Sequence, residues 1–288
     1  MFRALFTATA LLLASPAFAA FQSDRITVTT EGSGSDVVLV HGLASTTRVW
    51  KGTVERVPGH RYHLVQIAGM GANPPGGNAQ GALIAPVAEE IARYIREEKL
   101  GKPAVIGHSM GGTIAMMVAA RHPESVGRLM VVDMSPFVGA MFGGPNATAD
   151  SVRPIADAMR ARSAKATPED RERERKATIT SMIDTESERA GPIEDGLASD
   201  PNAVANAFSE LIVTDLRPEL ASIKAPTEVL YVTPKGAPFT DAQMDEMYKA
   251  AFANLDGVKL ERVPNSAHFI MLDQPDVFAD KVKAFLGN

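Results

Sequence analysis

Gly107-His108-Ser109-Met110-Gly111 decides the reading of this chain. Ala104-Val105-Ile106 before it is a short apolar run of strand type. Met110 to Arg121 after it is apolar nearly all round, the pattern of a buried helix. A G-x-S-x-G match in that setting predicts a sharp turn from strand to helix, with the serine strained so that its hydroxyl stands clear. Small residues two before and two after let strand and helix pass closely. The helix N-terminus offers unpaired N–H groups and a partial positive charge to a developing oxyanion. Ser109 is therefore the candidate nucleophile.

Similar short runs recur on both sides of this stretch. Ile26-Thr27-Val28-Thr29-Thr30, Val37-Val38-Leu39-Val40, His63-Leu64-Val65-Gln66-Ile67, Leu129-Met130-Val131-Val132, Glu228-Val229-Leu230-Tyr231-Val232 and 258–263 are strand candidates. Most lack alternation, so they read as strands buried on both faces of a parallel sheet. Helical patterns lie between them. Pro86 to Lys99 places Val87, Ile91, Tyr94 and Ile95 on one face, and Pro275 to Leu286 places Val277, Phe278, Val282 and Phe285 inward. Strand–helix alternation with glycine at strand ends is a doubly wound α/β pattern. The stretch 136–222 breaks it. No convincing strand occurs there, and it is too long for a plain connection. It is expected to be a helical cap, or lid, between core segments 20–135 and 223–288.

A serine hydroxyl needs a base, and the base needs an orienting acid. His268 follows the last strand candidate and precedes the final helix, where the chain returns to the edge bearing strand C-termini. Asp133 directly follows the strand after the Ser109 helix, on the same edge; a turn-forming aspartate before Ser135-Pro136 is its other reading. Asp241 is the second candidate acid, at an expected helix start. For the oxyanion, Gly42 would let the backbone turn so that the Leu43 N–H joins that of Met110. His108 is directed elsewhere by its place on the turn. His60 and His63 form a weak metal-type pair, favoured as loop and strand residues, and His122 reads as a helix C-cap.

Together these residues resemble the α/β-hydrolase superfamily. The matching pieces are His41-Gly42-Leu43, Gly107-His108-Ser109-Met110-Gly111-Gly112, Val131-Val132-Asp133 and the stretch 266–275, in the family's order. The resemblance covers nearly all of the chain after the first twenty residues. It implies a mostly parallel eight-stranded sheet flanked by helices, with a helical cap after strand six. It implies acyl transfer without cofactor or metal: Ser109 as nucleophile, His268 as base, Asp133 as acid, Leu43 and Met110 as oxyanion donors. Two departures stand out. The loop 233–238, where many members carry the acid, has none, and Asp133 matches the minority that place it after strand six. The usual acidic loop D-x-x-G-x-G has become Gln66-Ile67-Ala68-Gly69-Met70-Gly71.

Composition narrows the class. The chain has 288 residues, no Cys and a net charge of −5. The lack of Cys excludes a disulfide framework, a Cys-based zinc site and a Cys nucleophile. Without a basic stripe, nucleic-acid binding is not expected. The run Asp170 to Lys176 alternates in sign and reads as a solvated helix face. Arg3, the apolar stretch 4–13 and Ala17-Phe18-Ala19 form a secretory leader pattern over residues 1–19, with a retained anchor as the alternative. The chain is expected to be exported, periplasmic or secreted, and off the membrane once the leader is cleaved. A small to medium, largely apolar ester is the expected substrate. A peptidase, a cofactor-free haloperoxidase, a lyase or a non-catalytic ligand-binding protein on the same scaffold are the other readings.

Overall fold

The computed structural model describes residues 21–287; the leader pattern lies outside them. Seven strands form β1 (Ile26–Gly32), β2 (Ser35–Val40), β3 (His60–Ile67), β4 (Ala104–His108), β5 (Arg128–Val132), β6 (Thr227–Tyr231) and β7 (Lys259–Arg262). They make one sheet in the order β1-β3-β2-β4-β5-β6-β7. Only β1–β3 is antiparallel; every other neighbouring pair is parallel.

The alternation along the central strands sets the two layers. Val38, Val40, Val105, Leu129 and Val131 point to one face, against α2 (Ile84–Glu97) and α3 (Met110–Arg121). Val37, Leu39, Ile106, Met130 and Val132 point to the other. There they meet Trp50, Val57 after the short α1 (Lys51–Arg56), and Phe278, Val282 and Phe285. Both faces are covered, which is why the runs lack a polar side. Each of the seven β-rich runs in the sequence supplies one strand. The eight-strand expectation is corrected to seven among the described residues, since the sequence holds no eighth run; the helical segment and Asp133, expected after strand six of eight, accordingly follow β5.

Between β5 and β6 the chain is helical: α4 (Ala140–Gly143), α5 (Ala149–Lys165), α6 (Pro168–Ser181), α7 (Ala190–Ala198) and α8 (Pro201–Val213). α9 (Asp241–Ala251) follows β6, and α10 (Ile270–Asp273) and α11 (Pro275–Leu286) close the chain. Asp170 to Lys176 lies on α6 and is mostly exposed, as alternating charges favour. One assignment fails. Val277 is 41% exposed, whereas Phe278 is buried. Adjacent helical residues are turned by about a quarter-circle, and the inner stripe passes through 278, 282 and 285. No helix among the described residues is long and apolar enough to cross a membrane.

Candidate active site

The turn at Ser109 has the strained geometry expected of it. Ser109 takes φ 54° and ψ −125°, a region that L-residues avoid unless the surroundings hold them there. The surroundings are tight. A Cβ on Gly107 would lie 2.1 Å from the Gly111 carbonyl oxygen, and one on Gly111 would lie 2.2 Å from that of Val40. β4 and α3 thus meet through bare backbone, and the end of β2 presses against the first turn of α3. The Ser109 N–H donates to the Val132 carbonyl at 2.9 Å, tying the turn to β5.

Asp133 and His268 come together on this edge. His268 Nδ1 and Asp133 Oδ2 are 2.5 Å apart. Asp133 follows β5 at φ 50°, a left-handed conformation that aspartate tolerates better than most side chains. Its Oδ1 accepts from the Val232 N–H at 3.1 Å and, at a long 3.5 Å, from the Tyr248 hydroxyl on α9. The carboxylate is therefore held from β6, from α9 and by His268. His268 in turn is anchored through its backbone: its carbonyl accepts from His108 Nε2 at 3.0 Å, and the two rings lie 4.6 Å apart. The residue next to Ser109 thus fixes the loop that carries His268. No hydrogen bond closes between Ser109 Oγ and His268 among the described residues; such bonds commonly tighten only with substrate in place.

Leu43 and Met110 also lie where the sequence places them. A Cβ on Gly42 would meet the Ser109 Cβ at 3.0 Å, so the backbone before Leu43 passes directly beside the serine. Among the described residues, neither the Leu43 nor the Met110 N–H has a hydrogen-bond partner. The next amide, Ala44 N–H, is taken by the Met70 sulfur at 3.3 Å. Asp241 is not brought to the site. It opens α9 and pairs with Arg262 at 2.8 Å, more than half exposed.

The strained Ser109 turn, the Asp133–His268 pair and the unpartnered Leu43 and Met110 amides thus lie at the C-terminal edge of the parallel strands. Residues 37–281 fit the model of the alpha/beta hydrolase family. The chain belongs to that family. It is 36% identical over 115 residues to a pimeloyl-[acyl-carrier protein] methyl ester esterase of Aliivibrio fischeri (strain MJ11), a match covering 40% of this chain and 42% of that relative. It is 26% identical to the protein of the same name from Pectobacterium carotovorum subsp. carotovorum (strain PC1), over 89% of this chain and 96% of the relative. Among solved structures, an esterase from Exiguobacterium antarcticum superposes with a TM-score of 0.75 at 23% identity, over 91% of this chain and 96% of that one. The enol-lactonase from Burkholderia xenovorans LB400 does so at 0.72 and 19%, over 91% and 96%.

In this α/β hydrolase, two buried histidines and the half-buried Tyr248 have no role assigned from sequence. His108 has its pKa pushed well below the usual imidazole range by burial and by the neighbouring His268. Burial likewise lowers His41 to about 4. The Tyr248 hydroxyl is pushed well above its ordinary range by burial and by the Asp133 carboxylate. His41 and His108 stand in the motifs at 41–43 and 107–112 and Tyr248 in none, but the partner each takes depends on which backbone or side chain the fold sets against it. Gln66, the departure from the acidic loop, ties two loops together. Its Oε1 accepts from the Thr47 N–H, and its Nε2 donates to the Ile67 and Met70 carbonyls. His60 and His63 both lie on β3, at a spacing of three that points them to opposite faces. His63 pairs with Asp36, which β2 brings to 2.9 Å; no group of three or more metal-ligating side chains forms among the described residues. His122 ends α3 through its backbone N–H, which donates to the Val118 carbonyl, while its ring reaches Glu89.

Proposed function

We propose that this chain hydrolyses esters by acyl transfer through Ser109. The observation that carries the reading is the 2.5 Å contact between His268 Nδ1 and Asp133 Oδ2 on the sheet edge that bears the strained Ser109 turn. Asp133 fixes the tautomer in which Nδ1 holds a proton, leaving Nε2 as base toward the serine hydroxyl. Ser109 Oγ attacks the ester carbonyl, and its proton passes to His268 Nε2. The tetrahedral oxyanion lies between the Leu43 and Met110 N–H groups, at the positive end of α3. His268 then protonates the departing alcohol, and the acyl group stays on Ser109. Water, deprotonated by His268, attacks the acyl-enzyme and releases the acid.

The ester class is supported by the names carried by the relatives, which are esterases and a lactonase. We assign the α4–α8 segment as a lid over the edge of the sheet that bears Ser109. Its Asp195 accepts from Thr46 Oγ1 at 2.6 Å, three residues beyond Leu43, so α7 closes on the loop that would hold the oxyanion. We further propose that residues 1–19 are an export leader and that the mature enzyme works outside the cytoplasm on small to medium esters. A panel of p-nitrophenyl esters of graded acyl length tests the activity, with Ser109→Ala as control. Turnover by the wild type and none by the variant is expected; equal turnover by both contradicts the assignment.

A further inference from the structure

His41 lies immediately after β2, fully buried, and the acyl-transfer scheme gives it no step. Its two ring nitrogens have unlike partners. Nε2 lies 3.1 Å from the Ile67 backbone N–H, which can only donate. Nε2 must therefore be the bare, accepting nitrogen, and the proton sits on Nδ1. Nδ1 lies 2.8 Å from the Gly42 carbonyl oxygen, which can only accept. Both bonds are satisfied by one neutral tautomer, and burial keeps the ring neutral down to a pKa of about 4.

The Gly42 carbonyl belongs to the same peptide as the Leu43 N–H. That peptide is trans, as are all those described, so its C=O and N–H point in opposite directions. A ring that grips the carbonyl from the buried side turns the N–H outward, toward the space beside Ser109. The freedom it removes is real: Gly42 has no side chain, and a Cβ there would crowd the Ser109 Cβ and His108 Nδ1 at 3.0 and 3.2 Å. The following amide is already committed to Met70. We infer that His41 is a positioning residue for the oxyanion site, its Nδ1–H holding the Gly42–Leu43 peptide so that the Leu43 N–H faces the reacting carbonyl. This rests on the acyl-transfer reading above.

Two substitutions separate the two bonds. In His41→Asn the amide Nδ2 stands near the place of Nδ1, so the grip on Gly42 is kept and the Ile67 N–H loses its acceptor. In His41→Gln the amide oxygen can reach the Ile67 N–H, and the Gly42 carbonyl is released. Losing one oxyanion donor costs about 10²–10³ in kcat. His41→Gln is expected to lose about 10²-fold in kcat with KM within about threefold. An alkylboronic acid, which forms a tetrahedral adduct on the serine, should bind more weakly by the same factor. His41→Asn should keep most of both. Equal losses in the two variants, or a loss in Asn alone, would overturn the inference. So would unchanged boronate binding by the Gln variant. The wild type gives an independent reading: a long-range nitrogen–proton correlation spectrum should show His41 protonated on Nδ1, and an Nε2–H tautomer contradicts the inference even if neither variant folds. An active Ser109→Ala would remove the acyl-transfer reading and this inference with it. An inactive Ser109→Ala beside a fully active His41→Gln would remove this inference alone.

Discussion

Ser109 and Asp133 both sit at positive φ, at 54° and 50°. Such conformations cost about 1–3 kcal/mol each and persist only where packing enforces them. At Ser109 the enforcement is visible in Gly107 and Gly111, where no side chain fits. Gly111→Ala would drive a methyl into the Val40 and His41 carbonyls and part α3 from β2. It should abolish ester turnover and lower the thermal midpoint, read by circular dichroism. The choice of acid is equally sharp. Asp133→Asn should cost about 10⁴ in kcat, because an amide favours the wrong histidine tautomer. Asp241→Asn should change little, since Asp241 only pairs with Arg262 at the surface. The reverse outcome would move the acid to Asp241. At this scale the shared edge of Ser109, Asp133 and His268 was readable because each ends a strand-like run or follows one. His41 and His108 carry equally definite contacts, but their partners are backbone groups at Gly42, Ile67 and His268, which no local pattern announces.

Elements were legible where burial imposes a period. All seven strands answer to β-rich runs, and α3 and α11 begin and end where their patterns do. α2 starts at Ile84, two residues before the expected Pro86, because Glu210 on α8 accepts from the Leu83, Ile84 and Ala85 N–H groups. A carboxylate lent by a distant helix leaves no trace in the local sequence. The exposure of Val277 gives a test of the α11 stripe. Phe278→Ala should cost about 3–5 kcal/mol in urea unfolding. Val277→Ser should stay within about 0.5 kcal/mol. α9 shows the same limit of local reading. Its Tyr248 donates to Asp133 while stacking on Tyr231 with ring centroids 4.0 Å apart. The bond is long and worth about 1 kcal/mol, so Tyr248→Phe should lower kcat about fivefold with KM unchanged.

Across the whole molecule, the α4–α8 segment is tied to the core by polar contacts around the site. Arg48 pairs with Glu194 at 2.8 Å and Asp195 at 3.2 Å, Ser199 Oγ accepts from the Gly71 N–H, and the Asp200 N–H donates to the Gly69 carbonyl. The helical nature of 136–222 was readable from its missing strands; these ties were not, since they join residues far apart in sequence. Buried histidine also shapes global stability. His41 is lowered from 6.5 to about 4, so the unfolded chain binds its proton first as pH falls. The stability it contributes is complete above about 6.5, declines through the interval down to 4, and then levels. At pH 5 the loss is about 2 kcal/mol. His108 acts in the same direction. Urea unfolding of wild type and His41→Asn at pH 7 and 5 should show the wild type losing about 2 kcal/mol more on acidification; equal losses would contradict a neutral, buried His41.

Covalent labelling tests most directly whether Ser109 is the nucleophile. The wild type should take up one fluorophosphonate group, mapped by peptide mass spectrometry to Ser109, and Ser109→Ala should take up none. Absence of label on the folded wild type, or a label on another residue that persists in Ser109→Ala, would contradict that role.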